Sequence, residues 1–492
     1  MQYILGIDVG TQGIKTSVYN ESGLCVGSAF NECRVRIEKG KIFQDPEELF
    51  GLVIKSIKNS ADCQILKNVA AVGIDAQMAG IMGINKNYEP VTYYDSWLDL
   101  SSAKYISLMK SQCEEMFIKT SGGPVGNAHA ARILKWKSEY SETYERIYKF
   151  VTLSAYIAGR MAGIGGDQAF IDTTQVHFSG FANVNTLKWE QELINDFSLD
   201  SGKFPRIARP YEIIGGLAKG IADICGLKQG VPVIAGCGDQ AATSLGAGIT
   251  KKGQAFDSAG TASVFSVATD IFAPDMKNKT VLYARSIIDD LWIPLSYIGG
   301  GGMCISWFVR EFCQGKTEKE MDLEAERISA GCDGVVFIPH MSGRVCPSAP
   351  EAKGCFMGLG WNHTRAHMYR AVLESIGYEY GIYKNCMPEE IISNVTVVGG
   401  GAKSLIFSQI KSDILGLEYL LTDHSESAVM GSAITAGYAV KLFGDIKKTA
   451  AGLVRVKNQI CPGKANKESY QQYSKSYERT VKMVSDFCGG TI

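Results

Sequence analysis

The same short pattern occurs twice in this sequence, once at the start and once near the middle. The first copy is YILGIDVGTQGIKTSVYN, residues 3–20, and the second is QAFDSAGTASVFSVAT, residues 254–269. Each has an apolar run, an aspartate (Asp8 or Asp257), a turn of small residues that ends in Gly-Thr, and a second run rich in β-forming residues. The repeat favours two similar halves, and 492 residues suffice for about two to four domains.

Two further strings support the repeat. NVAAVGI at residues 68–74 and NVTVVGG at residues 394–400 are apolar runs of strand length, each followed by small or polar residues. We therefore predict two similar α/β domains, residues 1–248 and 249–492, with a ligand site in the cleft between them. Chance similarity between short apolar strings is the alternative, but the paired Asp and Gly-Thr turns favour duplication.

Stretches with helical periodicity separate these strands. In DPEELFGLVIKSIKNSA, residues 45–61, Asp45 is suited to cap a helix and Pro46 to occupy its first position. TRAHMYRAVLESIGYEYGIYKN, residues 364–385, is a second such stretch. Alternating strands and helices indicate an α/β protein.

Composition excludes several classes of partner. The net charge is −1 and no basic stripe is present, so we expect binding to neither nucleic acid nor an anionic membrane. No apolar stretch reaches the ~20 residues of a membrane span, and the N-terminus has no secretion signal, so we expect a cytoplasmic protein. The 14 cysteines include no C-x-x-C pair, so we expect reduced thiols and no zinc site.

The turn after Asp8 suits a phosphate group. Gly10 and Gly13 allow positive φ and bring backbone N–H groups close to a ligand. The side-chain donors of the turn are Thr11, Gln12 and Lys15. Because Asp8 would repel a phosphate, we expect Mg²⁺ between them, since Mg²⁺ keeps several waters and takes few carboxylates. The alternative is an aspartate that only organises a β-turn.

Other glycine-rich segments offer further parts of a nucleotide site. Gly260 and Thr261 in the second turn provide donors like those of the first, so the two turns predict a site for a nucleoside triphosphate. VVGGGAKS, residues 397–404, and GGGG, residues 299–302, allow a flat ligand such as adenine to lie against the backbone. Taken alone, either segment is more typical of a tight strand-to-helix connection.

The segment VIAGCGDQAATSLGAG, residues 233–248, contains the candidate general base. A strand leads into Asp239 and Gln240, which then begin a helix of small residues. Near a helix N-terminus we expect Asp239 to be mostly ionised, so that it can accept a hydroxyl proton while Gln240 orients the same hydroxyl. An aspartate that only caps the helix is the alternative.

Two other motifs are weak. The G-x-G-x-x-A string at residues 236–241 is similar to a dinucleotide-binding fingerprint, but Asp239 would lie inside the pyrophosphate loop and repel the ligand. GKT at residues 315–317 is similar to the end of a P-loop, but Arg310 takes the place of its first glycine.

In their order along the chain, these segments resemble the FGGY family of carbohydrate kinases, within the actin/hexokinase/Hsp70 ATPase superfamily. The most specific match is GCFMGLGWNHTRAHMYRAVLESI, residues 354–376, with Gly358, His367 and Glu374 of the family's second signature. PVGNAHAARILKW, residues 124–136, keeps the final tryptophan of the first signature. The resemblance covers nearly the whole chain and implies two RNase H-like domains that flank a central cleft.

The resemblance also implies roles for individual residues. It makes Asp239 the catalytic base and supports Asp8 as the metal site. The implied ATP-binding residues are Thr11, Gln12, Lys15, Gly260, Thr261, Gly302, Ser306, Gly400, Gly401 and Ala402. The implied substrate-binding residues, from DAQMAG (75–80), DSWLD (95–99) and the GDQ motif, are Gln77, Met78, Trp97, Asp99, Asp239 and Gln240. Met78 and Trp97 would pack against the carbon face of a sugar, and the polar members would bond its hydroxyls.

The implied activity is ATP-dependent phosphorylation of a sugar or polyol hydroxyl with Mg²⁺. The overall pattern is most similar to xylulose kinases, so D-xylulose is the first candidate. Met78 and Ala79 replace the Arg-Glu of glycerol kinases and the Met-His of xylulose kinases. The arginine that is common after Asp99 is missing, and Ile133 replaces a lysine of the first signature.

Three other functions are considered. A kinase for another sugar, polyol or sugar acid is the nearest alternative. A catalytically inactive ATPase-fold binding module is disfavoured by the acid of the GDQ motif, and a nicotinamide-dependent dehydrogenase rests on the weak fingerprint alone. We expect the partners to be the sugar or polyol and ATP, with a homodimer as a candidate assembly.

Overall fold

The computed structural model describes residues 1–126, 129–260, 262–388, 391–423 and 426–489. The chain forms two compact units, and both are built from several chain segments. The first unit comprises Met1–Thr250, Tyr283–Ile293 and Glu426–Leu453, and the second comprises Lys251–Leu282, Pro294–Ser425 and Val454–Ile492. The predicted α/β class is confirmed. The division of the sequence at residues 248 and 249 stays a prediction, and the compact units are interleaved in a way that it does not include.

The strands are β1 (Tyr3–Val9), β2 (Gly13–Asn20), β3 (Cys25–Glu32), β4 (Arg36–Glu38), β5 (Lys41–Gln44), β6 (Val69–Ala76), β7 (Met82–Ile84), β8 (Tyr94–Asp95), β9 (Lys149–Val151), β10 (Phe170–Asp172), β11 (Ala182–Asn183), β12 (Lys188–Trp189), β13 (Arg206–Ala208), β14 (Ile213–Gly216), β15 (Pro232–Ile234), β16 (Cys237–Gly238), β17 (Gln254–Ala259), β18 (Ser263–Val267), β19 (Leu282–Arg285), β20 (Trp292–Ile298), β21 (Val336–Ile338), β22 (Cys355–Met357), β23 (Asn394–Val398), β24 (Tyr419–Thr422) and β25 (Val456–Ile460).

The helices are α1 (Pro46–Ser60), α2 (Cys63–Leu66), α3 (Ala103–Ser121), α4 (His129–Glu139), α5 (Ser141–Arg146), α6 (Leu153–Ala162), α7 (Gln191–Asp196), α8 (Lys219–Cys225), α9 (Asp239–Gly246), α10 (Gly301–Phe312), α11 (Glu318–Ala325), α12 (Arg365–Cys386), α13 (Leu405–Leu415), α14 (Ser427–Ala439), α15 (Ile446–Leu453) and α16 (Lys467–Cys488). None of these helices is long and apolar enough to cross a membrane.

The sheet of the first unit has the strand order β14-β15-β6-β1-β2-β3, and β16 also pairs with β6. Strand β1 runs antiparallel to β2 and parallel to β6, and β6 runs parallel to β16. Strands β1 and β6 are buried along most of their length, as expected for central strands covered on both faces. The carboxyl ends of β1, β6 and β16 therefore meet at one edge of the sheet.

Six strands of the second sheet follow the order β20-β18-β17-β23-β24-β25. Strand β17 runs antiparallel to β18 and parallel to β23, which repeats the relation of β1 to β2 and β6. The predicted repeat of strand, turn and strand therefore occurs in both units.

The two aspartates of the repeat are not equivalent. Asp8 is the last but one residue of β1, whereas Asp257 is the third from the end of β17. A shift of one position exchanges the faces of a strand. Asp257 is fully buried, where it forms an ion pair with Lys411 and accepts a hydrogen bond of 2.8 Å from Tyr380 Oη. Asp257 is thus a core residue of the second unit.

Helix α14 packs on β1 and β6 at short range. A Cβ at Gly6 would lie 2.4 Å from the carbonyl oxygen of Val429, and a Cβ at Gly73 would lie 2.1 Å from that of Ser432. Only glycine fits in both strands, because no side chain separates them from the helix. The close approach brings Ser432 to the carboxyl end of β6.

The two predicted helices are present, and their ends follow the expected chemistry. Helix α1 begins at Pro46, and the Asp45 side chain accepts hydrogen bonds from the backbone N–H groups of Glu47 and Glu48. Helix α12 begins directly after Thr364.

Candidate active site

Three aspartates lie at the carboxyl ends of neighbouring strands in the first unit. Asp8 of β1 is the register partner of Asp75 of β6. Asp75 is in turn the partner of Cys237 of β16, and Asp239 follows two residues later as the first residue of α9. Residues that are distant in the sequence therefore form one acidic group, because parallel strands end at the same edge of a sheet.

Burial raises the pKa of each of these acids. The pKa of Asp8 rises to about 6, chiefly through burial and against the opposing effect of Lys15. The pKa of Asp239 rises to about 7 through burial and the nearby charge of Asp8. Asp75 is fully buried, and burial together with Asp8 raises its pKa well above the ordinary value. The three carboxyls thus hold protons that an exposed aspartate would release.

The expectation that the helix N-terminus keeps Asp239 mostly ionised is wrong for the protein without ligands. The backbone and side chain of Gln240 do bond Asp239 and lower its pKa. Burial and the charge of Asp8 outweigh these bonds, so that near neutral pH Asp239 is divided between its two protonation states.

Asp75 was not selected from the sequence, although its position carried a signal. Like Asp8, it ends an apolar run, VAAVGI, of strand length. Ser432 Oγ donates a hydrogen bond of 2.5 Å to Asp75 Oδ2, whereas Asp75 Oδ1 is buried without a hydrogen-bond partner among the described residues. Helix α14 therefore contributes directly to the acidic group.

Lys15 lies opposite Asp8 in the antiparallel pair of β1 and β2. Its ammonium group forms an ion pair of 2.7 Å with Glu426, and both side chains are partly exposed. A phosphate that binds Lys15 must therefore compete with a carboxylate at the start of α14. Gln12 is exposed in the same turn, and its carbonyl accepts a hydrogen bond from Cys33 N.

Thr11, which was predicted to bind ATP, contacts residues predicted to bind the sugar. Trp97 Nε1 donates to Thr11 Oγ1 at 2.9 Å, and Thr11 Oγ1 donates to Gln77 Oε1 at 3.1 Å. Gln77 Nε2 donates to Gln44 Oε1 at 2.7 Å, and Gln44 Nε2 donates to the Thr11 carbonyl at 3.4 Å. These hydrogen bonds therefore join the first turn to the DAQMAG and DSWLD segments in one network. The buried Gln44 belongs to this network, although it was not predicted from the sequence.

Met78 lies directly beside the GDQ motif. A Cβ at Gly238 would lie 2.6 Å from Met78 Sδ, so the side chain covers the residue before Asp239. The next residue, Ala79, has a left-handed backbone with φ of 63°. Met78 therefore lies beside the residue that precedes Asp239.

The carboxylate of Asp99 is hydrogen-bonded within the protein. Asp99 is 3% exposed, and its carboxylate accepts hydrogen bonds from Ile42 N at 3.2 Å and Ser101 Oγ at 2.5 Å. Arg132, which was not selected from the sequence, is buried nearby and donates to the carbonyls of Ala79, at 2.5 Å, and Ser96, at 2.8 Å. Arg132 therefore ties the DAQMAG and DSWLD segments together, and the role predicted for Asp99 in substrate binding stays a prediction.

The second unit contains the other residues that were predicted to bind ATP. In the turn after β17, Gly260 N donates to the carbonyl of Ala262 at 3.0 Å, just as Gly10 N donates to Gly13 at 3.0 Å after β1. Thr261, the remaining residue of this prediction, lies outside the described residues.

The glycine-rich segments of the second unit form strand-to-helix connections. Gly302 lies in the first turn of α10, and Ser306 is exposed on the same helix. Gly400, Gly401 and Ala402 lie in a 3₁₀ turn between β23 and α13, which Ser404 caps. A Cβ at Gly401 would lie 2.3 Å from Ala259 Cβ, so this turn packs against the end of β17.

The donor set of the acidic group fits Mg²⁺. Asp8 and Asp75 supply carboxylate oxygens only, and one of these, Asp75 Oδ1, is buried without a partner among the described residues. Mg²⁺ prefers oxygen ligands and usually takes one or two carboxylates together with waters and phosphate oxygens. Across the part of the chain that the structure describes, no group of three or more His, Cys, Asp and Glu side chains is arranged to hold a metal by itself.

Comparison with known proteins agrees with the repeated fold. The solved structure of a ligand-bound xylulose kinase from Lactobacillus acidophilus matches with a TM-score of 0.93 at 21% identity, over 100% of both chains. A gluconokinase from Bacillus subtilis is 25% identical over 456 residues, which cover 89% of this chain and 87% of that protein. A xylulose kinase from Staphylococcus epidermidis is 24% identical over 498 residues, which cover 98% and 97%.

The fold is a two-domain α/β fold of the actin-like ATPase type. The family model for the N-terminal domain of FGGY carbohydrate kinases matches residues 3–246, and the model for the C-terminal domain matches residues 258–440. The chain therefore belongs to the FGGY family of carbohydrate kinases. It is an ATP-dependent phosphotransferase that acts on a carbohydrate, as the sequence predicted.

Proposed function

We propose that Asp239 is the base that takes the proton from the sugar hydroxyl during phosphoryl transfer. The supporting observation is the position of Asp239 at the start of α9, partly exposed, beside Met78 and with a pKa of about 7. A general base works best when its pKa lies near the operating pH. Gln240, the next residue, would orient the hydroxyl.

The reaction balances with these groups. The hydroxyl oxygen of the sugar forms a bond to the γ-phosphorus of ATP, the bond from that phosphorus to the bridging oxygen breaks, and ADP leaves. The hydroxyl proton passes to Asp239. Little covalent chemistry is required of the protein, because positioning and electrostatic stabilisation supply most of the catalysis.

Asp8 would hold Mg²⁺, with Asp75 beside it. The ion would supply neutralisation of the charge on the transferred phosphoryl group. Burial raises the pKa of each carboxyl when no ion is bound. Cation binding should therefore release protons.

The two turns and the adenine-side segments would hold ATP. Backbone N–H groups of the first turn, together with Gln12 and Lys15, suit phosphate oxygens. Lys15 would have to exchange Glu426 for a phosphate, because the two side chains form an ion pair without ATP. Gly260 in the second turn would contribute in the same way.

The substrate we propose is an uncharged ketopentose, with D-xylulose first. The match to xylulose kinases over nearly the whole chain supports it. A sugar acid such as gluconate is the second candidate, because a gluconokinase matches at the same level of identity. A coupled ADP-release assay with pentuloses, hexuloses, polyols and aldonates decides between them. Slow turnover of D-xylulose relative to another sugar would remove the xylulose assignment and leave the kinase assignment intact.

Ala79→His tests the origin of the specificity. Histidine is among the residues that tolerate a left-handed backbone, which Ala79 has with φ of 63°. If the missing imidazole limits the use of D-xylulose, the variant should turn over D-xylulose faster than the unmodified enzyme does. Equal or lower turnover in a folded variant would show that other residues set the specificity.

A further inference from the structure

Four buried polar side chains lie together in the first unit, and none of them takes part in the proposed chemistry. They are His129, at the start of α4, and Gln175, His177 and Ser179, in and next to the 3₁₀ turn Val176–Ser179. Each is at most 5% exposed. Both ring nitrogens of each histidine, Gln175 Oε1 and Ser179 Oγ have no hydrogen-bond partner among the described residues. We refer to these four residues as the histidine cluster.

The histidine cluster is held as one packed group. The ring centroid of Phe178 lies 4.0 Å from that of His177 and 6.1 Å from that of His129. Gln175 Nε2 donates to Asp172 Oδ2 at 2.8 Å and to Ser154 Oγ at 2.7 Å, which fixes the amide. The backbone of Thr174 lies close to the His177 ring and raises its pKa, although burial lowers that pKa by more.

The cluster connects to the GDQ motif. Gly238 N, one residue before Asp239, donates to Thr174 Oγ1 at 2.9 Å. His177 follows Thr174 by three residues and lies in the 3₁₀ turn Val176–Ser179. Gln240 Oε1, on the other side of Asp239, is also buried without a partner among the described residues.

The cluster also connects to the predicted sugar-binding segments. His129 and Arg132 are three residues apart on α4, so they lie on the same face of that helix. Arg132 donates to the carbonyls of Ala79 and Ser96, which belong to the DAQMAG and DSWLD segments. Arg132 thus links the helix that carries His129 to these two segments.

The chemistry of the cluster fits hydroxyl groups better than a carboxylate. Burial keeps both imidazoles neutral, and Arg132 and His177 further lower the pKa of His129. A neutral imidazole has one donor and one acceptor nitrogen, and a hydroxyl both donates and accepts. Asp172 adjoins the cluster and would repel an anion.

We propose that His129, Gln175, His177 and Ser179 form a specificity-determining subsite that hydrogen-bonds hydroxyl groups of an uncharged sugar or polyol. Buried polar atoms without partners are costly, and a ligand that pairs with them gains selectivity over analogues that cannot. The proposal rests on the proposed function of Asp239. The subsite would determine which substrate is accepted and would not take part in the chemical step.

Matched variants of the full-length enzyme test it. Ser179→Ala and Ser56→Ala each remove a buried hydroxyl that has no partner among the described residues, and Ser56 lies on α1, outside the site. His177→Leu and His129→Leu remove the ring nitrogens, and His177→Gln keeps polar atoms. For each variant, kcat and KM are measured for ATP and for the best uncharged substrate of the panel, and the Tm is measured without ligand.

The subsite predicts a separation of effects. The two leucine variants should raise the KM of the sugar about tenfold or more, the loss expected for a buried hydrogen bond, while the KM of ATP stays within about twofold. Their Tm without ligand should not fall, because unpartnered polar atoms are removed. Ser179→Ala should raise the KM of the sugar, His177→Gln should lie between His177→Leu and the unmodified enzyme, and Ser56→Ala should leave both KM values unchanged.

Three results would overturn the proposal. The first is an unchanged KM for the sugar in folded leucine variants, which would mean that the cluster binds a buried water and not the substrate. The second, decisive if the leucine variants do not fold, is an equal sugar KM in Ser179→Ala and Ser56→Ala. The third is a preference of the unmodified enzyme for an aldonate over every uncharged sugar. If D-xylulose fails but another uncharged sugar is used, the proposed substrate fails and the variants are assayed with that sugar.

Discussion

In the acidic group, burial and neighbouring charge raise the pKa of single carboxyls. The pKa of Asp239 rises to about 7 and that of Asp8 to about 6, and in both cases burial is the main cause. Placing these acids together favours function at the expense of the stability of the protein without ligands. This trade-off can be measured.

Asp239→Asn should stabilise the protein without ligands, and more at pH 8 than at pH 5. The pKa of an aspartate in the unfolded chain is about 4. Between that value and about 7 the folded state binds more protons, so the carboxylate lowers the free energy of unfolding as the pH rises, and the full cost is present above pH 7. Asparagine cannot ionise and removes this cost. Calorimetry at the two pH values measures the Tm difference, and a larger gain at pH 5 would contradict the account.

Asp8→Ala should weaken the use of Mg²⁺ more than the binding of sugar, because its partner in the proposal is the metal and phosphate group. The expected result is a higher Mg²⁺ concentration for half-maximal activity, with a sugar KM close to that of the unmodified enzyme. Asp8→Asn keeps one oxygen ligand, so its Mg²⁺ concentration for half-maximal activity should lie between those of the unmodified enzyme and Asp8→Ala. An unchanged Mg²⁺ titration would return Asp8 to the role of organising the turn.

The sequence predicted Asp8 and Asp239 but neither Asp75 nor the contacts among these acids. Asp8 and Asp239 each stand at a recognisable strand or helix boundary, so short-range pattern identified them. The bond from Ser432 to Asp75 joins positions 357 residues apart, and no local pattern contains such a pair. The histidine cluster was also not predicted. An isolated histidine in an apolar segment does not show whether its ring nitrogens have hydrogen-bond partners in the folded protein.

Among the elements, α14 has the largest effect on the site. It packs against β1, β6 and α9, places Ser432 on Asp75, and has Glu426 of the Lys15 ion pair directly before its first residue. Helices α1 and α12 and the strands of the repeat were predicted from the sequence pattern. The docking of α14 was not, because its apolar composition indicates burial but does not indicate against which sheet.

Gly73→Ala should destabilise the first unit by about 1–3 kcal/mol, the usual cost of overpacking. The new methyl group would lie 2.1 Å from the backbone oxygen of Ser432, so α14 must move. Gly51→Ala is the control, since it lies in α1 with no atom within 4 Å of its added Cβ and should gain about 0.5–1 kcal/mol. Urea unfolding measures both changes, and equal effects of the two substitutions would contradict the packing argument.

For the whole molecule, the repeat in the sequence correctly indicated two related halves. It did not indicate that Tyr283–Ile293 and Glu426–Leu453 belong to the first unit, because a linear repeat contains no information on which segment returns to which core. The compact units therefore do not correspond to two continuous halves of the sequence.

A fragment of residues 1–250 should not fold on its own. It lacks α14, so the surface around Gly6 and Gly73 and the oxygen atoms of Asp75 would be exposed to water. We expect no cooperative thermal transition for this fragment under conditions in which the full chain shows one. A cooperative transition of the isolated fragment would show that α14 is dispensable for the core of the first unit.

The most direct test of the central claim is sugar-dependent ADP release by the unmodified enzyme and by Asp239→Asn. The variant keeps the shape of the side chain but cannot accept a proton. With the best sugar of the panel, kcat should fall at least ~10²-fold while the KM of ATP changes little, since the lost interaction belongs to the chemical step. Turnover by purified Asp239→Asn close to that of the unmodified enzyme would contradict the assignment of Asp239 as the base.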